Sequence, residues 1–400
     1  PCRNLFHEIT PLIESPFHLN HLIAHINFMP KPLNIAIIGH RFMGRAHSNG
    51  WKQAEKFFDL DATPILKVAC GRDENELTKF ANNWGWEEIS TDWENVINRD
   101  DIDIVDIATP TYLHHDMAIT AAKNGKHIFC EKPFSLNLEQ AESMLESAEE
   151  ANVTHYLNHN YRRCPAVRLV KKLIEDGKLG KLYHWRSTYQ QDWLANPEAP
   201  MRWQLQNEYS GGGSHIDLGS HCIDLARYLI GEVSSISCIK AKFVNERPSA
   251  DAKKEEVTVD DASLMTVEFK NGAVGSFECT RYASGRKNRN QFEINGSKGS
   301  VVFDLERMNE LEYFSSSDTQ EEQGFRKILV TDPTHEYAGN WWPPGHIIGY
   351  EHTFAHAAAD FLNAIARKEP IHPNFSDGVE CMRILEKGSQ SAEERKRISL

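Results

Sequence analysis

Four hundred residues allow two or three domains and a substantial core. The chain is 40% hydrophobic and 25% charged, ordinary for a soluble globular protein, and its formal net charge is −13. That acidity argues against nucleic acid as a partner, since phosphate binding needs a basic footprint, and no apolar run approaches the roughly 20 residues of a membrane span.

Residues 1–30 are histidine-rich, in "HLNHLIAHINFMP", and carry no signal-peptide pattern. The first strand begins at Leu33, and Met29 is a natural start for a fold that opens there. Residues 1–30 therefore read as an extension outside the main fold, a terminal helix at most. From 31 to 155 the chain alternates. "LNIAIIG", "PILKVAC", "IDIVDIATP", "KHIFC" and "THYLNHN" read as strands. Helical stretches lie between them: one from Phe42, then "ENELTKFANNWG", "HHDMAITAAKNG" closed by Gly125, and "LNLEQAESMLESAEEAN". This spacing predicts βαβ units and a doubly wound parallel sheet, a Rossmann domain of the α/β class.

From 156 to 400 the rhythm changes. The helix "PAVRLVKKLIEDG" leads to "KLYHWRSTYQQDW", which alternates like a strand. Gly211 to Gly213 precede a helix in "HIDLGSHCIDLARYLIG". Next come "ASLMTVEF", "AVGSFECTRYA", "QFEI" and "SVVFDL", with Asn-Gly turns between runs, a strong hairpin signal. Helices over 350–367 and 377–394 close the chain. This half is expected to be α+β with a large, mostly antiparallel, open-faced sheet. The eight cysteines form no C-x-x-C and several sit in apolar runs, as in a reduced, cytoplasmic chain.

The stretch "NIAIIGHRFMGRAH" has the outline of a dinucleotide-binding turn. Gly39 ends the strand and Gly44 opens the helix. The middle glycine of G-x-G-x-x-G is replaced by Arg41, with Phe42 and Met43 behind it. A guanidinium there would add charge to a helix N-terminus that faces an anion; a purely structural strand–turn–helix is the bland alternative. The second strand ends "VACGRDE". An acid there would bind a ribose 2′-hydroxyl, and an arginine accommodates a 2′-phosphate. Gly71 and Arg72 occupy those positions, a slight lean to NADP, while Asp73 keeps NAD open.

Two later segments carry more. They are "GKHIFCEKPFSLN" and "GGGSHIDLGSHCIDLARYLIGE". With "FMGRAH" before them, the chain resembles the glucose–fructose oxidoreductase/inositol dehydrogenase (Gfo/Idh/MocA) family from about Leu33 to the C-terminus. "NYRRCPAV", "YQQDW", "FEINGSKGS", "DLERMNELEY" and "WWPPGHIIGYEHTF" resemble the branch that contains levoglucosan dehydrogenase. Two departures stand out: Arg41 in the loop, and Trp203-Gln204 where a Trp-Arg pair is common. The resemblance implies a catalytic Lys132, Asp217 and His221, with Glu131 and Pro133 beside the nicotinamide ribose.

The same residues follow from chemistry. Taking a hydride from a secondary alcohol needs a base for the proton and a cation for the developing alkoxide. Lys132 lies just past a strand, at the carboxyl end of the sheet where ligands bind. Asp217 and His221, four apart, share a helix face, so Asp217 is expected to orient the base, which should titrate near neutrality. Thr109, Pro110 and His114 would lie along the cofactor. Asn160 and Arg162, with Arg163, follow the last Rossmann strand and could hold nicotinamide or sugar hydroxyls. Tyr189, Gln191, Asp192 and His346 could line the sugar site. A metal site built on His215, Asp217, His221 and Asp224 is disfavoured, because His215 and His221 do not share a helix face. The sequence thus predicts an NAD(P)-dependent oxidoreductase acting on a ring hydroxyl of a sugar, anhydrosugar, glycoside or cyclitol. It predicts a homodimer or homotetramer through the open sheet. The rivals are a glycosidase of the same fold using transient oxidation and elimination, and a non-enzymatic nucleotide sensor.

Overall fold

The computed structural model describes residues 30–249 and 253–400, so the expected N-terminal extension lies outside the described residues apart from Pro30. The first sheet is six-stranded and parallel, in the order β3-β2-β1-β4-β5-β6. Its strands are β1 (Lys31–Ile38), β2 (Ala62–Cys70), β3 (Glu88–Ser90), β4 (Ile104–Ile107), β5 (His127–Cys130) and β6 (His155–Leu157). The sequence reading missed β3, a three-residue edge strand too short to show a period.

Apolar residues fill both faces of this sheet. On one, Ala36, Ile38, Val105 and Ile107 share a core with α4 (His114–Lys123) and α5 (Leu138–Glu150) through Met117, Ala121 and Met144. On the other, Ile35, Ile37, Ile104 and Phe129 pack with α1 (Phe42–Phe57) and α2 (Glu74–Trp84) through Trp51 and Leu77. Each fully buried side chain of this size contributes about 1.5–3 kcal/mol. α3 (Trp93–Ile97) completes the helices of this half. The second face also receives Ala358, Phe361 and Leu362 from α10 (His352–Arg367), near the end of the chain. The expected boundary at 155/156 therefore does not divide the packing: a late helix returns to cover the first sheet.

The second sheet has nine strands, in the order β16-β15-β14-β13-β7-β12-β11-β8-β17. They are β7 (Leu182–Gln190), β8 (Val233–Ala241), β11 (Ala262–Phe269), β12 (Val274–Thr280), β13 (Arg289–Gly296), β14 (Gly299–Asp304), β15 (Glu310–Ser315), β16 (Arg326–Leu329) and β17 (Ile398–Ser399). β9 (Glu246–Pro248) and β10 (Lys254–Glu256) form a separate hairpin. Only the β12–β7 pair is parallel. One face buries Met265, Val267, Phe277 and Phe292 in a core shared with α6 (Pro165–Glu175), α9 (Gly219–Leu229) and α11 (Phe375–Glu394). The opposite face leaves Ile239 and Leu264 exposed at a depression of about 1090 Å³ and Val274 at a neighbouring one of about 450 Å³. Short helices α7 (Asn207–Ser210) and α8 (Ser214–Asp217) lead into α9. Among the described residues, no helix is long and apolar enough to cross a membrane.

Candidate active site

A cleft of about 350 Å³ opens at the carboxyl end of the first sheet. Phe42, Met43, Glu131, Lys132, His221 and Tyr350 are among the residues that line it. The glycine loop forms its near edge. Gly39 adopts φ +111°, and a Cβ there would meet the Ala108 carbonyl oxygen at 2.4 Å. A Cβ on Gly44 would meet the Gly39 oxygen at 2.1 Å. These contacts hold the turn tight, as the first and last positions of the fingerprint require. No side chain caps the start of α1 and its first turn carries no acid, so its free N–H groups suit a pyrophosphate. The loop therefore fits a dinucleotide. Arg41, which could point away from the loop or lie over the phosphates, points away. Its guanidinium, 82% exposed, reaches Glu76 at 3.2 Å. Gly71 is spared a clash with the His40 ring, which a Cβ would meet at 2.2 Å. Arg72 is exposed, and Asp73 caps α2 by accepting from the Glu76 N–H.

Lys132 stands two residues past β5 and pairs with Asp217 at 2.9 Å. Burial opposes the ammonium, but Asp217 and then Glu131 outweigh it and raise its pKa, so Lys132 is cationic. Asp217 sits below the usual carboxylate range: burial disfavours its charge, but Lys132 and then Arg281, at 3.7 Å, outweigh that. The expected single helix breaks at Leu218, between α8 and α9. The Asp217 carbonyl accepts from Lys132 Nζ and Ser220 Oγ. This corrects the expected role of Asp217. Asp217 positions Lys132, and the structure records no Asp217–His221 hydrogen bond.

His221 lies against aromatic rings. Tyr161 stacks on it at 4.5 Å, with Tyr189 and His159 at 5.6 and 5.7 Å. Burial, then the Lys132 charge, pushes its pKa well below the ordinary value, so His221 is neutral. The expectation of a base titrating near neutrality is corrected downward. Tyr161, Tyr189 and Asn288 form a hydrogen-bonded chain at 2.9 and 2.8 Å, and Gln191 Nε2 also donates to Asn288 Oδ1. These four residues give the cleft a polar wall.

Beneath Lys132 lies a charged network of which the sequence reading named only Glu131, as a residue beside the nicotinamide ribose. His47 contacts Asp106 at 2.7 Å and Glu131 at 2.9 Å. Burial lowers its pKa, but the two carboxylates win and raise it to about 10. Asn158 donates to Glu131 Oε1, and Glu131 Oε2 accepts the Lys132 N–H. Glu131 thus braces the lysine's backbone.

Other expected site residues fall elsewhere. Asn160 lines the cleft while donating to Thr353. Thr109 and Pro110 follow β4, with Thr109 Oγ1 on Met117. His114 does not face the cleft; it is buried and ties the Thr109 carbonyl to those of Pro133 and Phe134. Arg162 is not free for a ligand, because Asp224 holds it in a buried bidentate pair. Arg163 pairs with Asp360 and Asp192 with Lys287. His346 is exposed, lies outside the cleft lining and hydrogen-bonds the Pro343 carbonyl of its own loop. Reading missed Tyr161, Lys287, Asn288 and Tyr350. All but Lys287 and Asn288 lie inside segments that carried the resemblance, without a local signal that marked them.

Comparison with known proteins identifies the family. The family model described as "Oxidoreductase family, NAD-binding Rossmann fold" matches residues 33–159, and the GFO/IDH/MocA C-terminal domain matches residues 167–302. Levoglucosan dehydrogenase of Pseudarthrobacter phenanthrenivorans is 41% identical over 363 residues, 87% of this chain and 93% of that protein. A levoglucosan dehydrogenase structure in complex with NADH and levoglucosan superposes with a TM-score of 0.90 at 40% identity, covering 92% of this chain and 99% of that one. An oxidoreductase domain protein from Kribbella flavida matches with a TM-score of 0.90 at 42% identity, covering 93% and 99%. With the Rossmann loop, the Glu131-Lys132-Pro133 turn and the Asp217/His221 segment in one cleft, this chain belongs to the Gfo/Idh/MocA oxidoreductase family.

Proposed function

We propose that the chain is an NAD(P)-dependent dehydrogenase that oxidises a ring hydroxyl of a sugar, anhydrosugar, glycoside or cyclitol to a ketone, or runs the reverse. The observation that carries this is a cationic lysine and a neutral histidine at one cleft, beside a glycine loop that fits a dinucleotide. Bound in that loop, NAD or NADP supplies the hydride acceptor. Neutral His221 accepts the hydroxyl proton. Lys132, held by Asp217, stabilises the alkoxide. Tyr189, Gln191 and Asn288 orient the sugar through its other hydroxyls. Cofactor choice rests on Gly71-Arg72. Asp73 is engaged as a helix cap, which supports NADP, while the relatives solved with NADH support NAD.

The test is a panel of anhydrosugars, aldoses, polyols and glycosides assayed with each cofactor by the absorbance of reduced nicotinamide. An anhydrohexose comes first, given the levoglucosan-oxidising relative. Turnover of one class identifies the substrate. Release of free sugar without net cofactor change supports the glycosidase reading. Tight cofactor binding without turnover supports the sensor.

The exposed Ile239, Leu264 and Val274 support assembly through the second sheet, as a homodimer or homotetramer, which light scattering checks. The seven described cysteines are free and buried, which supports a reducing, cytoplasmic setting.

A further inference from the structure

The reaction leaves a proton on a base that is itself buried. His221 is 3% exposed, and a sugar in the cleft would cover it further. Its Nδ1 is buried and has no hydrogen-bond partner in the protein. The same is true of Nδ1 of the neighbouring His159, which is 2% exposed. The two rings lie 5.7 Å apart, nearly perpendicular. Two unpartnered imidazole nitrogens in adjacent buried rings are costly unless something joins them. One water hydrogen-bonded to both would satisfy them. On its far side, His159 Nε2 lies 3.9 Å from Asp224 Oδ1.

We propose that His159 relays the substrate proton away from His221 through one bridging water. This rests on the dehydrogenase reading above. The substrate O–H bond breaks and an N–H bond forms on the cleft side of His221. The N–H on Nδ1 of His221 passes to the water, and the water gives its own proton to Nδ1 of His159. His221 is again neutral and His159 is an imidazolium facing Asp224. No oxidant or second reactant is needed. His159 acts through His221, so it is a positioning residue for the proton and does not touch the substrate.

The surrounding charges suit that role. Lys132 and the rings of Tyr161 and Tyr189 face His221. Asp224 on α9, Arg162 after β6, Lys132 and Asp377 on α11 all act on His159, and Asp224 is the strongest of these charges. Burial is the largest influence on both histidines and keeps their resting forms neutral. Arg162 joins Asp224 to Asp377, which accepts from the 60%-exposed His372. Charge arriving on His159 therefore meets a carboxylate network that runs to the surface.

The experiment compares His159→Gln and His159→Phe with the wild-type chain. Glutamine keeps a hydrogen-bonding group but cannot carry the proton; phenylalanine keeps the ring shape. Both should lower kcat by about a hundredfold, the low end of a proton-transfer contribution, with KM little changed. The solvent isotope effect on kcat, measured in mixtures of light and heavy water, should lose its multi-proton curvature. In ¹⁵N-histidine NMR of the cofactor-free chain, the His221 titration should move in both variants. Wild-type turnover in His159→Gln, or an unmoved His221 titration, overturns the relay. If the wild-type chain oxidises nothing on the panel, the dehydrogenase reading fails, while the NMR arm still tests whether the two histidines are coupled.

Discussion

Two histidines flank Lys132, and the protein holds them in opposite charge states. His47, under the lysine in the Rossmann half, is fixed between Asp106 and Glu131 and stays charged to about pH 10. His221, on the substrate side, is packed against tyrosines and stays neutral. Both are buried to the same degree. The difference lies in the partners: two carboxylates for one ring, aromatic faces and a cation for the other. Burial alone drives a histidine to neutrality, and it takes paired anions to reverse that. One serves as a fixed structural charge and the other as an empty acceptor.

Breaking the substrate-side histidine should have the largest effect. His221→Ala should lower turnover by roughly 10² to 10⁴ and leave cofactor affinity near normal, measured by steady-state kinetics and cofactor titration. In the wild-type chain the acid limb of the rate profile should lie below the ordinary histidine value; a limb at or above it contradicts the neutral, lysine-depressed His221. Lys132→Met should lower turnover by about 10² or more, and the double variant should be far less than the product of the two, because the residues act on one transition state.

The structural histidine predicts a stability effect instead. His47→Gln leaves two buried carboxylates with a weakened partner and should cost about 3–5 kcal/mol by denaturant unfolding. The folded pKa of His47 is raised, so its contribution is complete below the unfolded value of 6.5 and is lost as pH rises toward 10. The melting temperature should fall across that alkaline window, and the His47→Gln chain should show a flatter fall. An identical alkaline fall in both chains would mean that His47 is not the group responsible.

Smaller effects sharpen the cofactor side. Arg72→Ala should weaken NADP by about tenfold or more, the worth of a contact to a charged group, and leave NAD nearly unchanged. Equal loss for both cofactors removes the lean to NADP. Arg41→Gly should preserve the fold and change the cofactor dissociation constant the least, because Arg41 is exposed and paired only with Glu76 at the surface.

The strand–helix alternation and the glycine loop were legible in the sequence because they rest on local periods and local turns. Lys132, Asp217 and His221 were legible as residues, through motif order. The role of Asp217 was not. Four-residue spacing put Asp217 beside His221 on an unbroken helix, whereas the break at Leu218 turns the carboxylate to Lys132. Arg162 looked available because nothing nearby in sequence opposes it; its partners, Asp224 and Asp377, come from helices far along the chain. His346 drew attention as a histidine in an aromatic stretch, yet the cleft takes Tyr350 from the same loop. Contacts between distant elements leave no local period, so these assignments waited on the fold.

The return of α10 to the first sheet also sets an order of events in time. Leu157 completes the sixth strand, but Arg367 ends the helix that covers one face of the sheet. At roughly 5–20 residues per second, a ribosome needs about 10–40 s to span that interval. Until then the surface that will receive Phe361 and Leu362 faces water. Completion of the first sheet's core therefore waits on a helix made about 200 residues after its last strand.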